Sequence, residues 1–321
     1  MVTPIFLFSL PRSGSTMVQR VLGAHADIAT VSEPWVLLPF IYTMREGGAY
    51  AEYVHHGAVK AIRDFYGEFP NGRQDYLDEI RHLVLNLYMK TAVYHNQRYF
   101  LDKTPRYHLI ANEIIELFPD AKFVFLWRNP LAIAASIVES WGGGKWILYR
   151  FNVDLYQGFR NLVAAYETHS EKAIHIQYED LVSGSEESWE NLFTYLELTY
   201  HSDYLNSFNK TILRGRYGDK LGSATFSEID QTPLNKWETS FMNPLRKAWA
   251  KYYLQKIGED ALKSAGYNLQ ALSEELTKCP NSIAHILDDL VRMGYGIIYP
   301  KIEPKILKRQ ITSTHRPATV T

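Results

Sequence analysis

Four apolar runs of strand length punctuate this chain, and after each the pattern turns polar or basic before apolar positions resume at helical spacing. Ile5-Phe-Leu-Phe-Ser-Leu10 leads into Pro11-Arg-Ser-Gly-Ser-Thr16 and then Met17-Val-Gln-Arg-Val-Leu22, which predicts strand, loop and helix with Ser15 or Thr16 at the helix head. Arg98-Tyr-Phe-Leu101 predicts a short buried strand ending at Asp102-Lys103-Thr104-Pro105-Arg106, and Tyr107 to Leu117 a helix stopped at Pro119-Asp120. Lys122-Phe-Val-Phe-Leu-Trp127 is the clearest strand, a continuous apolar run suited to a buried parallel position. It ends in Arg128-Asn129-Pro130, where Pro130 opens a helix through Glu139. Asn152 to His169 predicts another helix, and Ala173-Ile-His-Ile-Gln177 a last strand running into Tyr178-Glu-Asp-Leu181.

Helical spacing dominates the remainder. Trp35 to about His95 reads as a helical insert separating the first strand from the second, clearest over Tyr50 to Tyr66 and Tyr76 to Tyr94 on either side of Pro70-Asn71-Gly72. Ser188 to Leu198, much of Leu234 to Leu262 and Pro280 to Met293 add further helices, and the end is a basic tail. Strands alternating with helices predict an α/β fold around a mostly parallel sheet.

The candidate chemistry collects at predicted strand ends, where ligands bind in an open α/β sheet. In the first loop, Gly14 lets backbone approach a ligand, the free N–H groups of the next helix point at it, and Ser13, Ser15, Thr16 and Arg12 add donors and charge. That is a cradle for phosphate or sulfate, although an ordinary strand-to-helix turn shares the pattern. The nucleotide-triphosphatase form of the loop carries a Lys before its final hydroxyl residue; Ser15 stands there instead. Glu33, held out of a helix by Pro34, is presented from a loop or strand end, as a pocket carboxylate or a solvated one. Lys103 and Arg106 end the second predicted strand near the anion loop, and Arg128 and Ser136 are placed to meet one phosphate. An arginine there needs an anionic ligand or a buried carboxylate. Trp141-Gly-Gly-Gly-Lys145-Trp146 is a surface linker or a lid, and Arg214 to Gly222 a loop that closes over a phosphate or stays on the surface.

Composition narrows the class. The 321 residues carry a formal net charge of -1 and 46% are hydrophobic, a soluble globular profile without the basic excess that nucleic-acid binding favours. Cys279 is the only cysteine, which excludes an intrachain disulfide and a cysteine-rich metal site and makes a reducing, cytoplasmic setting the expectation. No signal peptide is expected, and no apolar run is long enough to span a bilayer.

With these pieces in order, the chain resembles the sulfotransferases that use 3′-phosphoadenosine 5′-phosphosulfate (PAPS), from about Ile5 to Tyr267. Pro11-Arg-Ser-Gly-Ser-Thr16 is similar to the family's 5′-phosphosulfate loop, and Trp127-Arg-Asn-Pro130 with Ser136 to its 3′-phosphate motif. Tyr178-Glu-Asp-Leu181 is similar to the segment beside the adenosine, and the Arg214 loop with Asn235-Lys236-Trp237 to the region closing over the nucleotide. Within the family, Ser32-Glu33 and Asp102-Lys-Thr-Pro105 resemble the tyrosylprotein and Golgi-type carbohydrate branch, which carries a catalytic glutamate and lysine there. The histidine base of the cytosolic branch has no match, since Pro105 follows Lys103-Thr104; His108 and His25 are the reserves.

The resemblance implies a P-loop-like three-layer fold with a central mostly parallel sheet and a sulfotransferase domain over residues 1–270; it does not extend to the C-terminal helix and basic tail that the residue pattern gives over 271–321. It implies transfer of a sulfonate from PAPS to an acceptor hydroxyl without a metal, on a carbohydrate, tyrosine, lipid or polyketide, leaving 3′,5′-adenosine bisphosphate (PAP). Glu33, Lys103 and Arg12 are then the catalytic residues, and Arg12, Ser13, Gly14, Ser15, Thr16, Arg128, Ser136, Tyr178 and Lys236 bind the nucleotide. The rivals are a P-loop kinase acting on a small metabolite and a non-catalytic nucleotide-binding module. Neither the acceptor nor the oligomeric state is legible in the sequence.

Overall fold

The computed structural model of the chain describes residues 2–93, 96–184, 186–218 and 234–302. Five strands, β1 (Thr3–Ser9), β2 (Ile28–Thr30), β3 (Tyr99–Asp102), β4 (Lys122–Trp127) and β5 (Ala173–Gln177), make one sheet in the order β2-β3-β1-β4-β5. All four neighbouring pairs are parallel, with Ile5 opposite Leu101 on one side and Lys122 on the other. The helices in order are α1 (Ser15–Gly23), α2 (Leu37–Tyr42), α3 (His55–Gly67), α4 (Arg73–Ala92), α5 (Ala111–Leu117), α6 (Pro130–Ser140), α7 (Phe159–His169) and α8 (Tyr178–Val182). They continue with α9 (Glu187–Tyr195), α10 (Asp203–Ser207), α11 (Trp237–Ser240), α12 (Pro244–Ile257), α13 (Glu259–Ser264), α14 (Leu269–Lys278) and α15 (Ile286–Ile302).

Alternation along the strands builds two cores, one on each face of the sheet. Phe6, Phe8, Phe100, Phe123, Phe125 and Trp127 face one side, packed with residues of α4, α6, α7 and α12. Ile5, Leu7, Leu101, Val124, Leu126 and Ile176 face the other, under α1, α8 and α9. Helices therefore cover both faces, and the molecule is a three-layer α/β fold of P-loop-like design. Local sequence starts the helices: the Asn129 and Asn243 side chains cap α6 and α12 by accepting from Leu131 and Arg246 backbone N–H, with Pro130 and Pro244 in the first turn.

Several elements differ from the reading of the sequence. The second strand of the chain is Ile28–Thr30, so the helical insert lies between the second and third strands; three residues are too few to register as a pattern. Tyr107 to Leu117 is not one helix but a 3₁₀ turn over Pro105–Leu109 and then α5, broken at Ile110 with φ -138°. Asn152 to His169 opens with a π-helical turn, Val153–Gly158, before α7. The helix expected over Pro280 to Met293 runs instead over Ile286–Ile302 as α15, and α14, Leu269–Lys278, precedes it where no separate helix was expected. Leu272, Leu276 and Cys279 belong to the same core as α12.

Candidate active site

The strand ends converge because the connections from β1 and β4 leave toward opposite edges of the sheet, which opens a crevice at their carboxyl ends. A cavity of about 680 Å³ sits there, lined from the β1–α1 loop, the ends of β3 and β4, α6 and α8. That volume suits a small-molecule ligand.

The β1–α1 loop is built by two left-handed residues, Arg12 at φ 70° and Gly14 at φ 87°. Gly14 heads α1, and a Cβ there would lie 2.4 Å from the Tyr178 ring, so the loop is shaped tightly over that aromatic. Ser15 and Thr16 line the cavity. Ser13 is buried, and its Oγ has no hydrogen-bond partner among the described residues. A buried orphan hydroxyl beside the N-terminus of a helix fits a bound oxyanion.

Arg12 and Arg128 share this cavity, and their side chains are linked through the first anion loop. Arg12 Nε donates to Ser136 Oγ at 3.1 Å and its Nη2 to Ser140 Oγ at 3.0 Å, with the guanidinium 5.6 Å from the Trp141 ring centroid. Arg128 Nη1 donates to the Arg12 carbonyl at 2.8 Å, and its guanidinium lies 4.3 Å from the Tyr178 ring centroid. Ser136, which the sequence grouped with Arg128, therefore bonds Arg12, and Tyr178 touches both Gly14 and Arg128. Burial lowers the Arg128 pKa from its ordinary value; Tyr178 and Glu179 oppose the shift and Arg12 adds to it. Glu179 is the carboxylate beside the strand end, accepting from Asn129 N–H at 2.9 Å and Tyr267 Oη at 2.8 Å.

On the other side of the anion loop, Lys103 emerges from the end of β3 almost wholly buried. Its Nζ donates to Glu33 Oε1 at 2.9 Å and lies 3.4 Å from Thr16 Oγ1. Trp35 Nε1 donates to the second oxygen, Oε2, at 3.1 Å, so both Glu33 oxygens are held. Trp35 has φ 58°, an unfavourable backbone for a bulky residue, kept in place in part by its N–H on Thr104 Oγ1 at 3.3 Å. Beneath Lys103, Asp102 accepts from Tyr88 at 2.5 Å, Tyr107 at 3.0 Å and Thr104 at 3.1 Å. Burial pushes the Asp102 carboxyl up to about 6, against those hydrogen bonds and the Lys103 charge, which lower it.

Of the other candidates, Lys236 lines the cavity, as do Tyr217 and Gly218 of the basic loop; residues 219–222 of that loop lie outside the described residues. His108 is buried on Asp154 at 2.8 Å, His25 accepts from the Asp27 N–H at 3.0 Å, and neither lines the cavity. Arg106 lines it while pairing with Asp154 of the π-helical turn at 3.1 Å. Trp141 of the glycine-rich connection lines it too, and Arg20, Trp35, Glu139 and Ser140 contribute walls that the sequence reading did not single out. Arg20 was findable, since it lies four residues after Thr16 on one face of α1. The lining holds Arg12, Arg20, Lys103, Arg106, Arg128 and Lys236 against two carboxylates, Glu33 and Glu139, a site for an anion.

Several known proteins are similar to this chain. Nodulation protein NoeE of Sinorhizobium fredii is 34% identical over 137 residues, 43% of this chain, and the matched region spans 31% of that protein. A putative protein-tyrosine sulfotransferase of Caenorhabditis briggsae is 23% identical over 210 residues, 63% of this chain and 68% of that one. Among solved structures, the sulfotransferase domain from the curacin biosynthetic pathway superposes with a TM-score of 0.49 at 21% identity, covering 74% of this chain and 91% of that chain. The model of the sulfotransferase family matches residues 4–202, more than half of the length, and the chain belongs to that family.

Proposed function

We propose that the cavity binds PAPS and that the protein transfers the sulfonate to an acceptor hydroxyl, releasing PAP. The observation that carries this reading is Lys103 Nζ, 2.9 Å from Glu33 on one side and 3.4 Å from the anion-loop hydroxyl of Thr16 on the other. A base and an anion cradle thus share one cation. PAPS, when bound, supplies a sulfonate joined to a phosphate leaving group. The orphan Ser13 hydroxyl, the glycine heading α1 and the excess of cations are features that fit such a ligand.

Glu33 takes the proton of the acceptor hydroxyl, and Trp35 and Lys103 orient its carboxylate for that task. Lys103, Thr16 and the free N–H groups at the start of α1 stabilise charge that develops on the leaving side. Arg128 and Ser136 hold the 3′-phosphate, Tyr178 lies beside the adenosine, and Lys236 closes on the nucleotide. Arg12 bonds Ser136 and lends its carbonyl to Arg128, so it ties the two ends of the nucleotide site together.

The test is transfer of labelled sulfonate from PAPS to a panel of sugars, tyrosyl peptides, lipids and small alcohols. Labelled product with at least one acceptor is expected, formed in the presence of EDTA as well as without it. Turnover of ATP with magnesium and none of PAPS would replace this reading with a kinase.

A further inference from the structure

The last described helix, α15, leaves most of its aliphatic residues outside the core. Its inward side carries a buried acid and a glycine beside a few apolar contacts: Met293 packs on the main core, and the Tyr299 ring lies 5.0 Å from that of Tyr149. Asp289 is fully buried, accepting from Arg246 Nε at 2.6 Å, Arg246 Nη2 at 2.9 Å and Asn243 Nδ2 at 2.6 Å. Gly296 lies against Tyr149, where a Cβ would meet that side chain at 2.9 Å. The aliphatic residues point the other way. Leu287, Leu290, Val291, Ile297, Ile298 and Ile302 are all at least 50% exposed, and Leu287 reaches 77%. Positions 287, 291, 294, 298 and 302 follow the spacing of one helix face, with 290 and 297 along its edge. A buried ion pair such as Arg246–Asp289 fixes where a helix sits while adding little net stability. The apolar face of α15 buries against nothing in the described fold.

We propose that this face lies on an anionic lipid surface, with the helix in the membrane plane and its aliphatic stripe at the headgroup boundary. Charge favours lipid. Lys301 stands within the stripe and no acidic residue does; Asp288, on the flank, is paired with Arg292 at 2.7 Å. From 301 to 309 the sequence carries Lys301, Lys305, Lys308 and Arg309 against Glu303, four positive and one negative, a formal +3 in a chain whose net charge is -1. Basic residues gathered at one end of an amphipathic helix are drawn to anionic headgroups. A second copy is the weaker occupant, because a stable dimer uses about 20–30 residues a side and the stripe supplies six aliphatic ones. No described helix is long and apolar enough to cross a membrane, so the helix lies on the surface rather than spanning it. The inference does not depend on sulfonate transfer.

The experiment is co-sedimentation of the full chain with vesicles of phosphatidylcholine alone and of phosphatidylcholine containing one third phosphatidylglycerol. The wild type should pellet with the anionic vesicles at least about tenfold more tightly than with the neutral ones, and added salt should weaken it. Leu290→Asp with Ile298→Asp should lower that binding by about tenfold or more with an unchanged thermal midpoint; Val291→Asp serves if the double variant does not fold. Failure to pellet, binding indifferent to phosphatidylglycerol, or binding that survives the variants overturns the proposal. Sedimentation as a dimer that the same variants split would assign the stripe to a second copy and overturn it as well.

Discussion

At the scale of single residues, the site sets Lys103, Asp102 and Arg128 in the interior, each beside a hydrogen-bond partner. Arg128 is nearly buried, with Tyr178 under its guanidinium and the Arg12 carbonyl on Nη1. Its proposed task is affinity rather than chemistry. Arg128→Ala should therefore raise the KM for PAPS by about 10–100-fold with a smaller change in kcat, the loss expected for a charged hydrogen bond made equally in the ground and transition states; steady-state kinetics with varied PAPS checks it. Asp102 gives a prediction about pH. Its carboxyl is raised by burial from the ordinary 3.8 to about 6 in the folded protein. Below the ordinary value it is protonated whether the chain is folded or not, and its contribution is fully present. As pH rises through about 6, the folded state must ionise a buried group and that contribution is lost, by about 3 kcal/mol at most. Denaturant unfolding should show wild-type stability falling between pH 4 and 6 relative to Asp102→Asn, and parallel curves would remove Asp102 as the cause.

At the scale of elements, the β1–α1 loop is held tightly by the fold. Gly14→Ala would hold a Cβ at φ 87° and 2.4 Å from the Tyr178 ring. The variant should lose about 1–3 kcal/mol of stability and most of its PAP affinity; thermal melts and calorimetry report the two losses separately. This loop was legible in the sequence because one apolar strand, one glycine and one helix head lie within a dozen residues. Lys122–Trp127 and the helix opening at Pro130 were legible for the same local reason, whereas the Asn129 side chain that caps it was not read. The π-helical turn at Val153–Gly158 was not, since its pattern is that of a helix and its shape comes with tertiary contacts: Asp154 bonds buried His108 and Arg106 there. The break at Ile110 was hidden in the same way, inside a run whose spacing reads as continuous helix.

At the scale of the whole molecule, the active-site candidates come together only through the order of the sheet. Residues 124 apart meet when Arg12 Nε reaches Ser136 Oγ, and residues 70 apart when Lys103 reaches Glu33. The strand ends were readable one at a time; which ends meet depends on the order β2-β3-β1-β4-β5, and no local pattern carries that. Hence the sequence named Glu33 and Lys103 but not the indole of Trp35 that holds the second carboxylate oxygen, nor the hydrogen bond from Arg12 to Ser136. The central claim is that one cavity grips the nucleotide at its arginines and does its proton chemistry at Glu33. The most direct measurement is labelled-sulfonate transfer from PAPS by wild type and Glu33→Gln, with PAP affinity determined on both. The account predicts a fall of about 10²–10³ in kcat at an unchanged PAP Kd. Equal turnover by the two proteins, or PAP binding lost together with turnover, would contradict it.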